Sequence, residues 1–207
     1  MKYLIPFLVI PFLSATALWA DAPRLVFTKT FPGSVPAFVQ ISLERTGDAV
    51  YKEDAKDENP LTFKLTEADT MVMFDLADRL NHFSKPLESG IKVAFMGAKV
   101  FRYEGDGEPK EAKFNYSEDL EAKALLDWFE RISETERAYI DLERAVRFDK
   151  LGVNDSILRI ETVRNQKRLV AEEQFLPFLD RITKGESFMH MARTRAADLA
   201  QSIRTPK

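Results

Sequence analysis

The stretch "LLDWFERISETERAYIDLERAVRF", Leu125 to Phe148, decides how this chain folds and divides. Apolar residues recur in it at intervals of three and four, with charged residues mostly between them, which predicts an amphipathic helix with one buried face. Glu136 is the one polar residue that interrupts this apolar row. The aromatic side chains are therefore predicted to be buried rather than displayed, within the row Leu125, Phe129, Ile132, Tyr139, Leu142 and Val146.

The tetrapeptide "SETE", Ser133 to Glu136, is a capping box, because a serine is followed three residues later by a glutamate. It predicts that a new helix begins at Ser133, after a bend or break. The break would divide the chain into an α+β domain, residues 21–132, and a helical domain, residues 133–207. The alternative is one unbroken helix from Glu118 to Asp149, which would be roughly 48 Å long at about 1.5 Å per residue.

The chain before this helix alternates apolar and polar residues, which is typical of strands with one wet face. The segments "FVQISLER" (38–45) and "AVYKED" (49–54) flank the turn "TGD", so they predict a hairpin. An acidic loop follows, from Glu53 to Pro60. "LTFKL" (61–65) then predicts a further short strand.

A helix and three more strands are predicted next. "TEAD" gives the helix a cap at Thr66, and its apolar spacing predicts one buried face and an end near His82. The strands are "IKVAFMG" (91–97), "AKVFRYEG" (98–105) and "EAKFNYS" (111–117), joined by tight turns at "MGA" and "GDGEP". This order predicts a small antiparallel sheet with a helix on one face.

The rest of the chain is predicted to be helical. Ser117 is the expected cap of the helix that runs into the opening stretch, Gly152 its stop signal and Asn154 the cap of the next helix. Pro177 should kink or restart its own helix, because it lacks an amide proton. The segments are "SILRIETVRNQ", "AEEQFLPFLDRI" and "ESFMHMARTRAADLAQSIR". The predicted fold class is therefore α+β, a small antiparallel sheet with packed helices followed by a C-terminal helical bundle.

Residues 1–20 have the order of a secretory signal peptide: one lysine at Lys2, an apolar run, then small residues. The expected cleavage follows Ala20, with a second candidate after Ala17, and the mature chain then begins at Asp21. The alternative is an uncleaved anchor, since the apolar stretch approaches the roughly 20 residues that span a bilayer. Two prolines interrupt the stretch. The expected product is a soluble exported protein, periplasmic or extracellular, without stable membrane insertion.

Composition excludes several kinds of chemistry. The chain has no cysteine, which excludes disulfides, thiolate metal sites and a cysteine nucleophile. Its 30 basic and 33 acidic residues give a net charge of −3, a balance that argues against nucleic acid as a partner. No nucleophile elbow, zinc-protease pair, dinucleotide turn or phosphate loop is present. The helix carboxylates are expected to be solvated, with none isolated in an apolar setting.

Five features of the sequence have competing interpretations. His82 and His190 could serve as bases or metal ligands, but each needs a partner that the sequence does not place, and His82 also suits a helix C-terminus. The acidic loop, 53–59, offers oxygens for calcium but lacks the spacing of a known calcium loop, which favours a solvated loop. "FMHM", 188–191, predicts core packing or a partner surface, and the aromatic region 27–38 predicts a sticky surface or a closing sheet edge. No catalytic, cofactor-binding or metal-ligating residue is assigned, and no cofactor is expected.

Three segments resemble exported bacterial proteins of uncharacterised function: "FPGSVPAFVQISLERTG", "LESGIKVAFMG" and "KVFRYEGDG". The resemblance covers roughly residues 31–132 and follows the same order of two strands, helix, two strands and helix. It implies an α+β fold and an extracytoplasmic location. It brings no functional residue to this chain.

The sequence as a whole favours an exported module that binds rather than catalyses. The expected partner is an envelope or secreted protein, bound at the sheet edge or in the groove between the two halves. The alternative is a hydrolase of envelope or extracellular material with a carboxylate-based site, which needs neither histidine nor cysteine. A structural module of a larger envelope assembly is a third hypothesis.

Overall fold

A six-stranded antiparallel sheet forms the first half of the molecule, in a computed structural model that describes residues 22–105 and 107–205. The predicted signal peptide, residues 1–20, lies outside the described residues. The strands are β1 (Arg24–Thr30), β2 (Phe38–Glu44), β3 (Asp48–Lys52), β4 (Leu61–Lys64), β5 (Ala98–Glu104) and β6 (Lys110–Phe114). Their order across the sheet is β4-β3-β2-β1-β5-β6.

Strand β1 was not predicted from the sequence, yet it lies in the centre of the sheet between β2 and β5. Phe27 pairs with Ile41 on one side and Phe101 on the other, and all three side chains are buried. The aromatic region 27–38 is therefore neither a sticky surface nor a closing edge over its first residues. The predicted hairpin of β2 and β3 and the strand at 61–65 are confirmed.

Five α-helices and two short 3-10 turns make up the remaining regular structure of residues 22–105 and 107–205, so the predicted α+β fold is confirmed. The helices are α1 (Glu67–Arg79), α2 (Leu120–Phe148), α3 (Val153–Asn165), α4 (Leu176–Lys184) and α5 (His190–Arg204), and the 3-10 turns are Asn81–Phe83 and Glu172–Phe175. Helices α3, α4 and α5 follow α2 in the C-terminal half, where a helical bundle was expected.

The predicted helix start at Thr66 is confirmed, because its side chain accepts a hydrogen bond from the Asp69 backbone N–H at 3.1 Å. The cap predicted at Ser117 is wrong. Helix α2 begins at Leu120, and its cap is Asp119, whose carboxylate accepts from the Ala122 N–H at 3.0 Å. An ionised acid at this position also meets the positive end of the helix dipole.

The prediction that a new helix begins at Ser133 is also wrong, since α2 runs without interruption from Leu120 to Phe148. The Ser133 hydroxyl donates to the Phe129 carbonyl at 2.9 Å, the usual bond of a serine inside a helix, so it caps nothing. Thr135 and Glu136 are fully buried. Because α2 is buried both before and after Ser133, packing favours one continuous helix over the break that the capping box predicts.

Helix α2 contributes to two separate hydrophobic cores. Its first half, with Leu125, Phe129 and Ile132, packs against the sheet and α1. Its second half, with Leu142 and Val146, packs among α3, α4 and α5. The division predicted at residue 133 thus falls inside a continuous helix that is shared by both cores.

Three further predictions need correction. Residues 91–97 form no strand. Asn154 is not a cap, because α3 begins one residue earlier at Val153. The last helix starts at His190 rather than near residue 186. The restart at Pro177 is confirmed, since a 3-10 turn ends at Phe175 and α4 begins with the proline in its first turn.

Candidate functional site

A cleft of about 390 Å³ opens where the ends of β1, β5 and β6 meet the beginning of α2. We call it the lysine cleft, because three lysines and a single acid line it: Lys29, Lys99, Lys123 and Glu130. Its other lining is mostly apolar. These residues are Phe31, Met96, Phe114, Ala122 and Leu126, with Asn115, Tyr116 and Ser117 at its polar side.

Two of the lysines lie directly opposite each other in the sheet, because Lys29 of β1 pairs with Lys99 of β5. Each continues the inward-facing row of its strand, two residues from Phe27 and Phe101 respectively. Directly opposed side chains on one face have Cβ atoms about 4.5–5.5 Å apart, and like charges in that position destabilise a sheet. The sheet therefore concentrates positive charge at the cleft, at a cost to its own stability.

Lys99 is the more unusual of the pair, since only 4% of its surface is exposed. Its Nζ donates to the carbonyls of Asn115 at 2.7 Å, Gly97 at 3.3 Å and Met96 at 3.4 Å. Among the described residues, no carboxylate forms an ion pair with it. Burial lowers the pKa of Lys99, and the neighbouring charge of Lys29 lowers this pKa further.

The other two cations of the cleft are more accessible. The Nζ of Lys29 lies 3.8 Å from Oε1 of Glu130, near the limit for an ion pair. The Nζ of Lys123 lies 5.4 Å from the centre of the Tyr116 ring, a cation–π contact. Both ammonium groups are consequently available to a ligand that enters the cleft.

A second cleft, of about 420 Å³, lies on the other side of Lys29 and Glu130, between the sheet and helices α2 and α3. It occupies the groove between the two halves of the chain. Glu134 lines it and is also bound by Arg168, whose Nε lies 2.6 Å from Glu134 Oε2. Arg137 lines the same groove. The carboxylates there are balanced by basic side chains.

Beside the lysine cleft, residues 91–96 form an exposed segment without regular secondary structure, which we call the apolar segment. Ile91, Val93, Phe95 and Met96 are between 39% and 57% exposed. The segment is held in place by the side chain of Asn115, which donates to the Ala94 carbonyl and accepts from the Met96 N–H at 2.7 Å. An anchored, solvent-facing apolar run of this kind is typical of a docking surface.

The structure places the two histidines in different settings. The Nε2 of His82 lies 2.7 Å from the Asp78 carboxylate, and its ring packs against that of Tyr103 at a tilt of 31°, with 4.0 Å between centroids. His190 is exposed at the first residue of α5. The sequence suggested that His82 contacts the C-terminal end of α1, and the side chain that it meets there is the carboxylate of Asp78.

The acidic loop uses its carboxylates for its own turns. Asp54 accepts from the Lys56 N–H and Asp57 from the Asn59 N–H, both at 2.9 Å. Across residues 22–105 and 107–205, no group of three or more potential metal ligands comes together. In the "FMHM" stretch, Phe188 is buried in the second core whereas Met191 is exposed.

One carboxylate contradicts the expectation that all helix acids are solvated. Glu136 has no exposed surface, and its Oε1 accepts a hydrogen bond from Gln174 Nε2 at 2.9 Å. Its Oε2 has no hydrogen-bond partner among the described residues. Burial raises the pKa of Glu136 to about 7. The burial of Glu136 could have been predicted from its position in the apolar row of α2. The capping box instead indicated a place at the start of a new helix.

The lysine cleft was not predicted at all. Lys29 and Lys99 each lie two residues from a phenylalanine of the same strand, so the sequence indicates that lysine and phenylalanine face the same side of the sheet. Their pairing depends on the register between strands about 70 residues apart, which local patterns do not contain.

No helix in the described part of the chain is both long and apolar enough to cross a bilayer. Comparison of the chain with protein-family models, with curated protein sequences and with solved structures gave no match.

Proposed function

We propose that the chain is an exported, non-catalytic binding module of the cell envelope, and that it docks a protein partner on the apolar segment. The observation that carries this proposal is the exposure of Ile91, Val93 and Phe95 in a segment that Asn115 holds in place. These three residues occupy every second position, as the apolar residues of a strand do, but no strand of the sheet covers them. A partner with a complementary apolar surface would remove them from water, the main source of stability in such interfaces.

Export is supported by the order of charged, apolar and small residues within 1–20. Cleavage after Ala20 would place the protein in the periplasm or the medium. The absence of cysteine is compatible with that location, because the two cores hold the fold together by burial alone. N-terminal sequencing of the protein from fractionated cells should give Asp21 as the first residue.

The alternative of a carboxylate-based hydrolase has less support. Such a site needs a proton-donating carboxyl group that faces bound substrate. Within the part of the chain that the structure describes, the carboxyl group whose pKa is raised by burial is that of Glu136, and it is enclosed in the helix packing rather than directed into a cleft. Glu130 and Glu134, which do face clefts, lie beside Lys29 and Arg168.

The test is affinity capture from an envelope extract of the producing cells, with residues 21–207 as bait. The variant Ile91→Ser/Val93→Ser removes apolar area from the docking surface at two exposed positions, so the fold should persist. The matched control is Leu151→Ser/Leu158→Ser, which makes the same change at exposed leucines in the helical half, 74% and 47% exposed. We expect wild type and control to retain the same partner and the first variant to lose it.

Two results would contradict the proposal. If the Ile91/Val93 variant retains the partner as well as the control does, the apolar segment is not the docking surface. If wild type retains nothing above a blank resin while the preparation hydrolyses envelope polymers, the protein is not a binding module of this kind. Circular dichroism of all three proteins establishes that they share one fold.

A further inference from the structure

We propose that the lysine cleft binds an amphiphilic organic anion, with a carboxylate head between Lys29 and Lys123 and a single alkyl chain on Phe31, Met96 and Leu126. This goes beyond docking of a protein partner, because it concerns a small molecule and a different set of side chains. It rests on three features of the cleft: its excess of positive charge, its apolar lining and its size.

The charge of the cleft favours an anion. Three ammonium groups face one carboxylate in a protein whose overall charge is negative. Lys29 and Lys99 are opposed across the β1–β5 pair, so their like charges repel each other, and the charge of Lys29 lowers the pKa of Lys99. An anion bound beside Lys29 would offset that repulsion, and its effect would be strong because the site is partly shielded from water.

The acidic residues near the cleft do not neutralise its excess of positive charge. Glu130 approaches Lys29 only to 3.8 Å, so a ligand carboxylate can compete for the same ammonium group. Glu88 lies beyond the lining, where its Oε2 accepts from the Asn115 N–H. Lys99 contributes mainly through its charge, since its three protons already bond to carbonyls.

The remaining lining favours an apolar body on the ligand. Phe114 and Ala122 form buried parts of the wall, and Phe31, Met96 and Leu126 are accessible from the cleft. A volume of about 390 Å³ lies within the roughly 300–1,000 Å³ of small-molecule sites, which typically combine an apolar lining with a few fixed polar groups. Inorganic anions would leave this lining unused, whereas a fatty-acid-like molecule would cover it.

The test is isothermal titration of residues 21–207 with four probes below their micelle concentrations: decanoate, decanol, decyltrimethylammonium and acetate. Comparison of their affinities separates the contribution of the head group from that of the alkyl chain, and an anionic head from a cationic one. We expect decanoate to bind with one molecule per chain and the other three to bind at least tenfold more weakly, since each lacks either the anionic head or the chain. Binding of decanoate should weaken as salt rises.

Variants locate the site. Lys29→Met and Lys123→Met keep a long side chain and remove the charge, so each should weaken decanoate binding by roughly tenfold. Lys64→Met is the control, because Lys64 is exposed on β4 and paired with Asp48, and it should leave binding unchanged.

Three results would overturn the proposal. The first is no binding of decanoate up to millimolar concentration. The second is binding of decanol as tight as that of decanoate, which would make the head group irrelevant. The third is wild-type affinity for decanoate in both Lys29→Met and Lys123→Met. The Ile91→Ser/Val93→Ser variant keeps every residue of the lysine cleft, so it should bind decanoate normally. This separates the ligand site from the protein-docking surface.

Discussion

Replacement of Glu136 by glutamine should stabilise this protein, and the gain should depend on pH. Glutamine has nearly the same shape as glutamate and can keep a hydrogen bond to Gln174, but it carries no charge. Two tyrosines, Tyr51 of β3 and Tyr139 of α2, have a raised pKa to which the charge of Glu136 contributes a minor part. The substitution therefore removes one buried ionisable group and leaves the packing of α2 intact.

The magnitude follows from proton linkage. Burial raises the pKa of Glu136 from 4.5 to about 7, so between these values the folded state holds a proton that the unfolded state has lost. Stability from this group is then highest below pH 4.5 and falls as pH rises to about 7. At about 1.36 kcal/mol per pKa unit, the loss at pH 8 amounts to roughly 3 kcal/mol. Glu136→Gln should recover most of that amount.

The assay is urea denaturation of residues 21–207 and of the variant at pH 4, 6 and 8. The free energy of unfolding should differ little at pH 4, and the variant should gain progressively at pH 6 and 8. The control is Glu134→Gln, two residues away on the exposed side of α2, which loses an ion pair with Arg168 and should gain nothing. A difference between wild type and Glu136→Gln that stays constant from pH 4 to 8 would refute the reasoning.

Three further predictions concern the fold. Gly47→Ala should cost about 1–3 kcal/mol more than Gly33→Ala, because both have φ near +89° but only at Gly47 does a Cβ lie 2.8 Å from the Leu65 carbonyl oxygen; thermal denaturation compares them. Phe101→Ala should cost about 3–5 kcal/mol in urea denaturation, because its buried ring contacts four other aromatic rings. Arg168→Met should cost about 1 kcal/mol, and the loss should shrink in 1 M salt, because its ion pairs with two acids of α2 are partly exposed. An equal loss at both salt concentrations would contradict the last prediction.

The fold could be predicted where local patterns agree with long-range packing. Period-two alternation gave β2, β3 and β5, and a threonine cap gave the start of α1, because each depends on neighbours within a few residues. Strand β1 was missed, since its buried residues are Leu25 and Phe27 alone and its polar residues resemble a linker. The helix at Ser133 was misjudged because a capping box is a local signal, worth about 1 kcal/mol, and two cores hold α2 together across it.

The candidate site was much less predictable. The lysine cleft joins residues from three strands and a helix, and its main feature is a register pair, Lys29 and Lys99. Nothing within a short window of sequence fixes which residue of β1 faces which residue of β5. Asn115 is a second example, because its role in holding the apolar segment depends on residues about 20 positions earlier.

Two of the mismatches between sequence pattern and structure lie at the proposed sites. Residues 91–96 have the alternation of a buried strand and yet are exposed, and Lys99 occupies an inward position that an apolar residue would fill more stably. Sequences selected only for stability would remove both, since an exposed apolar run promotes aggregation and an opposed lysine pair weakens the sheet. Local conflicts of this kind are expected at functional sites, where stability is lost to another requirement. We expect Lys99→Met to be more stable than wild type and to bind decanoate more weakly. These two results together would show that Lys99 lowers the stability of the sheet and contributes to ligand binding.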